Sequence, residues 1–253
     1  MTSSHLVVIT GASRGLGRAM AEQLLQPGRH LLCISRRSDP QLAERARAAG
    51  AELEQWQLDL GEAVAAAARL SEWLRHIQPN TFDYATLINN AGTVGQPRPL
   101  SEGIASELAQ ALRVGLEAPM LLAGAFLGAT KDWRAERKVL NISSGLGRSA
   151  MGSQAPYCAA KAGMDHFSRA VALEEKVAPR GAKIVSLAPG VIDTDMQVQL
   201  RESDAAVFPD RVRFEKLKAE GHLDSPAAAA AKVLKFLDRA DFGSNPVADV
   251  RDA

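Results

Sequence analysis

Short apolar runs alternate with segments of helical periodicity along almost the whole chain. The run at residues 30–35 lacks polar–apolar alternation, which is typical of a strand buried on both faces of a parallel sheet. The predicted strands cover residues 5–10, 30–35, 52–58, 84–89, 138–143 and 183–188, with a last short strand near 247–250. The predicted helices cover residues 18–25, 41–49, 62–77, about 104–129, 157–177, 211–220 and 226–238.

The order of these elements predicts an α/β fold. Strands that alternate with helices require right-handed crossovers, so we expect a doubly wound, Rossmann-type, mostly parallel sheet with helices on both faces. No linker or repeat divides the chain, which indicates a single domain over residues 1–253. Pro119 should bend or divide the long central helix. The stretch 191–222 is irregular to about residue 210, and we interpret it as a substrate flap.

A glycine-rich turn follows the first strand and opens the first helix. Gly11, Gly15 and Gly17 have the spacing of a dinucleotide-binding turn, in which the backbone approaches a pyrophosphate at the positive end of a helix dipole. A tight turn without a ligand is the competing interpretation. The cofactor-binding candidates in this turn also include Ser13, Arg14 and Leu16.

Charge near the second strand indicates which nucleotide fits. An acidic residue there would accept from the ribose 2′-hydroxyl of NAD, whereas arginine accommodates the 2′-phosphate of NADP. Because Arg36 and Arg37 follow the strand and Arg14 lies in the glycine turn, the sequence predicts NADP(H); the alternative is a solvated strand end. Asp59, beside Leu60, could accept from the adenine amino group or cap the next helix.

The same turn also reads G-A-S-R-G, which matches the nucleophile elbow of serine hydrolases with Ser13 as nucleophile. His222 with Asp193 or Asp195 could complete a triad. Such an elbow needs earlier strands to supply an oxyanion loop, and only one strand precedes it here. A serine hydrolase is therefore a remote alternative.

A hydroxyl, a phenol and an ammonium occur together in residues 140–161. Tyr157 and Lys161 are four apart, so a helix places them on one face, where the lysine could lower the pKa of the phenol. Ser144 follows the preceding strand, so a strand end and a helix face would meet at one reactive carbonyl. Ser143 is expected to be a strand-end residue bonded to backbone. Taken alone, the Tyr–Lys pair is more typical of an exposed surface pair.

The glycine turn, these three residues and two further motifs occur in the order and spacing of the short-chain dehydrogenase/reductase family. The chain resembles this family over essentially its whole length. The two further motifs are Asn89-Asn90-Ala91-Gly92 and Pro189-Gly190-Val191-Ile192 with Thr194. The resemblance implies hydride transfer between a nicotinamide and a carbonyl or alcohol. Tyr157 would deliver the proton, Ser144 would hold the carbonyl oxygen, and Lys161 would bind the nicotinamide ribose. The first motif would line the cofactor pocket, and Val191, Ile192 and Thr194 would contact the carboxamide.

One position departs from the family pattern. The family places an asparagine in the long central helix, where it helps to hold a water for proton relay, and this chain has Gly115. The space left at Gly115 could hold an extra water, and we expect activity to survive with an altered relay. The alternative is a catalytically impaired NADP-binding regulatory protein.

Three segments narrow the resemblance: residues 189–197, residues 214–223, and the helix from Tyr157 to Glu175. They look like the corresponding segments of sepiapterin reductases and are similar to those of bacterial benzil reductases, and both groups reduce vicinal dicarbonyl groups. The resemblance implies that Asp249 anchors the substrate ring, and a polar strand end is an equally good interpretation. Met151 and Met196 would give apolar contacts to an aromatic or pterin-like substrate, or belong to the core. The expected partner is therefore a small-molecule carbonyl substrate.

Composition narrows the remaining possibilities. A net charge of +1 gives no reason to expect nucleic acid, and no segment reaches the roughly 18 apolar residues of a membrane span. Cys33 and Cys158 lack a pairing framework, which favours reduced thiols and a cytoplasmic location. The five histidines lack metal-ligand spacing, so we predict no metal site. The family resemblance implies a homodimer or homotetramer.

Overall fold

A seven-stranded parallel sheet forms the centre of the molecule in the computed structural model, which describes residues 4–252. The strands are β1 (His5–Thr10), β2 (Arg29–Ser35), β3 (Glu52–Gln57), β4 (Tyr84–Asn89), β5 (Glu136–Ile142), β6 (Lys183–Ala188) and β7 (Val247–Asp249). Their order is β3-β2-β1-β4-β5-β6-β7. The chain therefore reverses direction across the sheet beside β1, which opens a crevice at the carboxyl ends of β1 and β4.

Helices cover both faces of this sheet, which confirms the predicted fold class. They are α1 (Gly15–Leu24), α2 (Pro40–Ala49), α3 (Ala63–His76), α4 (Ala105–Leu112), α5 (Ala118–Thr130), α6 (Ala155–Val177), α7 (Asp195–Arg201), α8 (Arg211–Ala219) and α9 (Pro226–Leu237). Helices α1, α2 and α9 cover one face, and α3, α5 and α6 cover the other. Val7 faces the first group and Leu6 and Val8 face the second, so β1 is apolar on both faces between its polar ends, His5 and Thr10.

The long central helix is divided, as Pro119 predicted, but at a π-helical turn (Arg113–Glu117) that precedes the proline. Pro119 has no N–H to donate to the carbonyl of Gly115 four residues earlier, and its ring would clash with that carbonyl. A wider turn removes this conflict. Turns of this kind are frequent at functional sites.

The combined stretch Ala105–Thr130 is long and apolar enough, by length and composition, to cross a membrane. This finding contradicts the expectation that no segment reaches that limit. Leu122, Ala123 and Phe126 of this stretch are buried in the apolar cluster beneath α3. These contacts explain its apolar composition as that of a core helix.

The flap is more regular than predicted. Residues 195–201 form α7, so the expectation of an irregular chain to residue 210 is wrong in its first part. A bridge between Ile192 and Asp224 closes the base of the flap. The carboxylate of Asp193 pairs with Lys218 of α8 and Arg201 of α7, which joins the two flap helices.

Candidate active site

The three side chains predicted to be catalytic converge where β5 ends beside α6. Ser144 lies two residues after the end of β5, and its hydroxyl is close enough to the phenol of Tyr157 to lower the pKa of that group. The Nζ atom of Lys161 lies 5.6 Å from the centre of the Tyr157 ring and donates to the carbonyl oxygen of Ile142 at 2.7 Å. A Cβ added at Gly92 would lie 3.7 Å from that Nζ atom. The loop after β4 therefore borders the same site.

Burial controls the protonation of this site. It raises the pKa of Tyr157 above its ordinary value and outweighs the effect of the nearby Ser144 hydroxyl, which lowers that pKa. Burial also lowers the pKa of Lys161 to about 8, although the carboxylate of Asp165 raises it. The expected lowering of the Tyr157 pKa by Lys161 is therefore wrong for this geometry. The phenol stays protonated at neutral pH, which suits a proton donor.

The contact between α6 and β5 continues below the three candidates. The N–H of Ser143 donates to the carbonyl of Leu187, which confirms the expected bond to backbone, and its hydroxyl also donates to the carboxylate of Asp165 at 2.6 Å. The amide of Asn141 donates to Ser168 at 2.9 Å. Asp165 was not predicted, and its only sequence signal is its position four residues after Lys161 on the same helix face.

The asparagine motif after β4 joins the two halves of the crevice. The side-chain amide of Asn89 donates to Asn141 of β5 at 2.9 Å. The side-chain amide of Asn90 donates to the carbonyl oxygens of Thr10 at 3.0 Å and Gly11 at 3.3 Å. The predicted motif therefore touches both the glycine turn and the strand that leads to Ser144.

The glycine turn fits a phosphate. Gly11 and Gly15 have φ angles of 69° and 55°, which favour glycine, and a Cβ at Gly17 would collide with the carbonyl of Gly11. Arg14 is the N-cap residue of α1, and its side chain forms no capping hydrogen bond. The first N–H groups of the helix are therefore not bonded to the N-cap side chain and can donate to a phosphate. Ser13 is half-buried in this turn and Leu16 is buried below it.

The positive side chains expected near a 2′-phosphate are exposed. Arg36 and Arg37 follow β2, and within residues 4–252 neither guanidinium forms an ion pair. These donors and the turn have the chemistry that the phosphates of a dinucleotide require. Asp59 is exposed and accepts from the N–H of Gly61 at 2.8 Å, while residue 62 caps α3 and Leu60 is buried. The capping alternative for Asp59 is therefore wrong.

The start of the flap lies over the glycine turn. Asp195 pairs with Arg14 at 2.7 Å, and the Cγ2 atom of Thr194 would lie 3.5 Å from a Cβ added at Gly15. The segment that connects β6 to this contact contains Pro189, Gly190, Val191 and Ile192, with Gly190 at a φ of 84°. The structure thus brings the predicted cofactor motif at residues 189–194 next to the glycine turn.

An apolar cluster holds the flap helices over the site. Leu200, Phe208 and Phe214 are buried together, and Val94 and Met151 pack against them. Met151 therefore contacts the flap from the segment that leads into α6, and Met196 is half-buried in α7. A cleft of about 460 Å³ lies beside this cluster. Its lining residues are Gln96, Asp195, Val198, Gln199, Glu202 and Ser203.

Asp249 is buried at the end of β7 and already has charged neighbours. Its carboxylate accepts from Arg251 Nη2 at 2.6 Å and lies 4.0 Å from Arg148 Nη1. The hydrogen bond from Arg251 is the main cause that holds the pKa of Asp249 below its ordinary range. Asp249 is thus ionised at neutral pH, and its contact with a substrate stays a prediction.

Helix α6 approaches Gly115 closely. Gly115 is buried in the π-helical turn, and a Cβ added there would lie only 3.0 Å from the Cβ of Ala160 on α6. A Cβ at Gly163 would likewise lie 2.8 Å from a methyl of Leu116. The close approach of α6 therefore narrows the space at Gly115, and an extra water there stays a prediction.

The residues named for a hydrolase triad have other partners. Asp195 pairs with Arg14, Asp193 pairs with Lys218, and His222 lies 3.3 Å from Glu220. None of these contacts joins one triad candidate to another. The structure does not assemble the hydrolase alternative.

Comparison with known proteins agrees with this geometry. The family model for short chain dehydrogenases matches residues 5–205. The chain therefore belongs to the short-chain dehydrogenase/reductase family and is an oxidoreductase that acts on CH–OH or C=O groups.

Two curated relatives and one crystal structure illustrate the likeness. The chain is 36% identical to a benzil reductase ((S)-benzoin forming) of Bacillus cereus, over 95% of this chain and 97% of the relative. It is 34% identical to sepiapterin reductase of Rattus norvegicus, over 97% and 95% of the two chains. A Beutenbergia cavernae structure, assigned as an NAD(P)-dependent gluconate 5-dehydrogenase with NADP at low occupancy, shares 26% identity and a TM-score of 0.81, over 98% and 96% of the chains.

Proposed function

We propose that the protein is an NADPH-dependent carbonyl reductase that acts on a ketone. The observation that carries this proposal is the convergence of Ser144, Tyr157 and Lys161 beside a phosphate-binding glycine turn. Bound NADPH would supply the hydride to the carbonyl carbon. Tyr157 would give its proton to the carbonyl oxygen, Ser144 would donate a hydrogen bond to that oxygen, and Lys161 would hold the nicotinamide ribose.

NADP is proposed over NAD on the basis of charge. The N–H groups at the start of α1 and the residues of the glycine turn would hold the pyrophosphate. Arg14, Arg36 and Arg37 would surround the 2′-phosphate, and the side chain that follows β2 directly is basic, not acidic. Asp59 would accept from the adenine amino group, with Leu60 beside it.

The proposed substrate is a vicinal dicarbonyl or a pterin-like carbonyl. Relatives named benzil reductase and sepiapterin reductase support this class. Met151 packs beside Phe208 and Phe214, which gives the flap an apolar side suited to an aromatic group. Met196 and Asp249 would complete the pocket, the latter by pairing with a ring N–H.

Organisation of the whole protein follows the same proposal. Residues 1–253 would form one domain in which the flap at 191–222 covers the substrate. Both cysteines are free thiols, which favours a cytoplasmic location. Exposed apolar residues on α5 and α6, among them Met120 and Leu173, support a homodimer or homotetramer.

A carbonyl panel tests the proposal. Purified protein is mixed with benzil, diacetyl or sepiapterin, with NADPH and NADH in parallel, and the loss of reduced-cofactor absorbance is followed. We expect turnover of at least one vicinal dicarbonyl with NADPH and much less with NADH. Gly115 stands where the family usually has an asparagine, and this difference supports the alternative of a catalytically impaired NADP-binding regulatory protein. Tight NADPH binding with no turnover across the panel would favour that alternative.

A further inference from the structure

Asp165 lies one helical turn after Lys161 and, apart from raising the pKa of that lysine, has no role in the chemistry proposed above. Its side chain is only 3% exposed. A carboxylate keeps its charge in such a place only when several donors surround it. The identity of those donors shows what the residue does.

Three donors from three different segments reach this carboxylate. The hydroxyls of Ser143, at the end of β5, and Ser186, in β6, both donate to Oδ1 at 2.6 Å. The Nε atom of Arg148 donates to Oδ2 at 3.2 Å. Two of the donors, Ser143 and Arg148, flank Ser144 on either side in the sequence.

The loop between these two donors rests directly on α6. A Cβ added at Gly147 would lie 2.9 Å from Asp165 Oδ2 and 2.9 Å from the carbonyl oxygen of Lys161. Arg148 extends beyond this contact and donates to the carbonyl oxygen of Ala248 in β7 at 2.8 Å. One guanidinium therefore connects the catalytic helix, the loop after Ser144 and the last strand.

We propose that Asp165 and Arg148 form a clasp that fixes Ser144 against Tyr157, and that carbonyl turnover depends on this clasp. Asp165 is a positioning residue, because it acts on Ser144 through Ser143 and Arg148. The proposal rests on the proposed reductase function. A displacement of about 1 Å at a catalytic group can lower turnover roughly a hundredfold, so loss of the clasp should affect kcat more than KM.

Three variants test the clasp in the full-length protein with NADPH and a dicarbonyl that the wild type reduces. Asp165→Asn keeps the shape and removes the charge, Arg148→Met removes the cation, and Arg148→Lys restores it. We expect Asp165→Asn to lower kcat about tenfold or more and Arg148→Met to lower it about fivefold, with KM and the NADPH Kd nearly unchanged. Arg148→Lys should recover part of the loss.

A matched control separates positioning from general destabilisation. The Thr130→Ala variant removes a buried hydroxyl that donates to the carbonyl of Phe126 at 2.7 Å, in α5. It should lower the melting temperature without a change in kcat. If Asp165→Asn does not fold, Ser143→Ala, which leaves Ser144 in place, carries the test with Arg148→Met. Unchanged kcat in the folded clasp variants would overturn the proposal.

Amide hydrogen exchange gives a readout that needs no substrate. The amides at residues 146–149 should exchange about tenfold faster in Asp165→Asn and Arg148→Met than in the wild type or Thr130→Ala. Faster exchange in a chain that reduces no carbonyl would count against the reductase function and leave the clasp standing. Unchanged exchange with unchanged kcat, in an active wild type, would refute the clasp alone.

Discussion

At the scale of single residues, Tyr157 gives the most direct test of the proposed proton donor. The chain has only 2 tyrosines, so the other one serves as a control. The Tyr157→Phe variant removes the proton donor and keeps the ring, so we expect kcat to fall about 10²- to 10⁴-fold while NADPH still binds. The matched control is Tyr84→Phe, at the exposed start of β4, which should keep full turnover. Turnover in Tyr157→Phe above about a tenth of wild type would show that another group supplies the proton.

Cofactor choice is a second property of individual side chains. Replacement of Arg36 and Arg37 by alanine removes two exposed cations that we assign to the 2′-phosphate. A hydrogen bond to a charged group contributes about 1.5–3 kcal/mol, so the NADPH Kd should rise roughly tenfold or more while the NADH Kd changes little. Arg47→Ala, which removes a charge from the last turn of α2, serves as control. Equal loss of affinity for both nucleotides would contradict the assignment.

At the scale of elements, the packing of the π-helical turn against α6 depends on Gly115. Alanine is favoured over glycine in a helix by about 1 kcal/mol. A methyl added at Gly115 would lie only 3.0 Å from the Cβ of Ala160, however, and such overpacking costs about 1–3 kcal/mol. We therefore expect Gly115→Ala to lower the free energy of unfolding. The double variant Gly115→Ala/Ala160→Gly should recover much of the loss in urea denaturation.

The larger Gly115→Asn change should lower both stability and turnover, because it pushes on the helix that carries Tyr157 and Lys161. This outcome is the reverse of a restored proton relay. Raised kcat with unchanged stability in Gly115→Asn would show that α6 yields easily and that the relay was impaired.

The elements also show what a sequence can predict. Six strands were predicted to within about two residues, and most of them are apolar runs because they are buried on both faces. The edge strand β3, with sequence ELEQWQ, is the exception. Helix α7 was missed because seven residues give too little periodicity. Asp165 was missed because its donors, Ser143, Arg148 and Ser186, lie on segments that only the strand order brings together. Ser144, Tyr157 and Lys161 were recognisable because their spacing matches a known family.

At the scale of the whole molecule, the carboxyl ends and the amino ends of the parallel strands carry different groups. The candidate active site lies at the carboxyl ends, and His5 lies at the amino ends in a half-buried hydrogen-bond network. His5 Nε2 lies 2.9 Å from the hydroxyl of Thr86, and Arg29 donates to Nδ1 at 3.4 Å. Burial, assisted by Arg29 and Lys138, lowers the pKa of His5 from 6.5 to about 4. His5 is therefore neutral in the folded protein near pH 5.

This shift predicts acid sensitivity of the whole fold. The unfolded chain takes up a proton near pH 6.5 and the folded chain only near pH 4, so the contribution of His5 to stability is complete above pH 6.5 and is lost as the pH falls towards 4. At 1.36 kcal/mol per pKa unit the full loss is about 3 kcal/mol. The melting temperature of His5→Gln should therefore fall less steeply between pH 7 and 4.5 than that of the wild type, whereas the exposed His76→Gln change should leave the slope unaltered. Because His5 lies at the opposite edge of the sheet from Tyr157, kcat at pH 7 should stay the same; identical slopes in all three proteins would place the acid-sensitive group elsewhere.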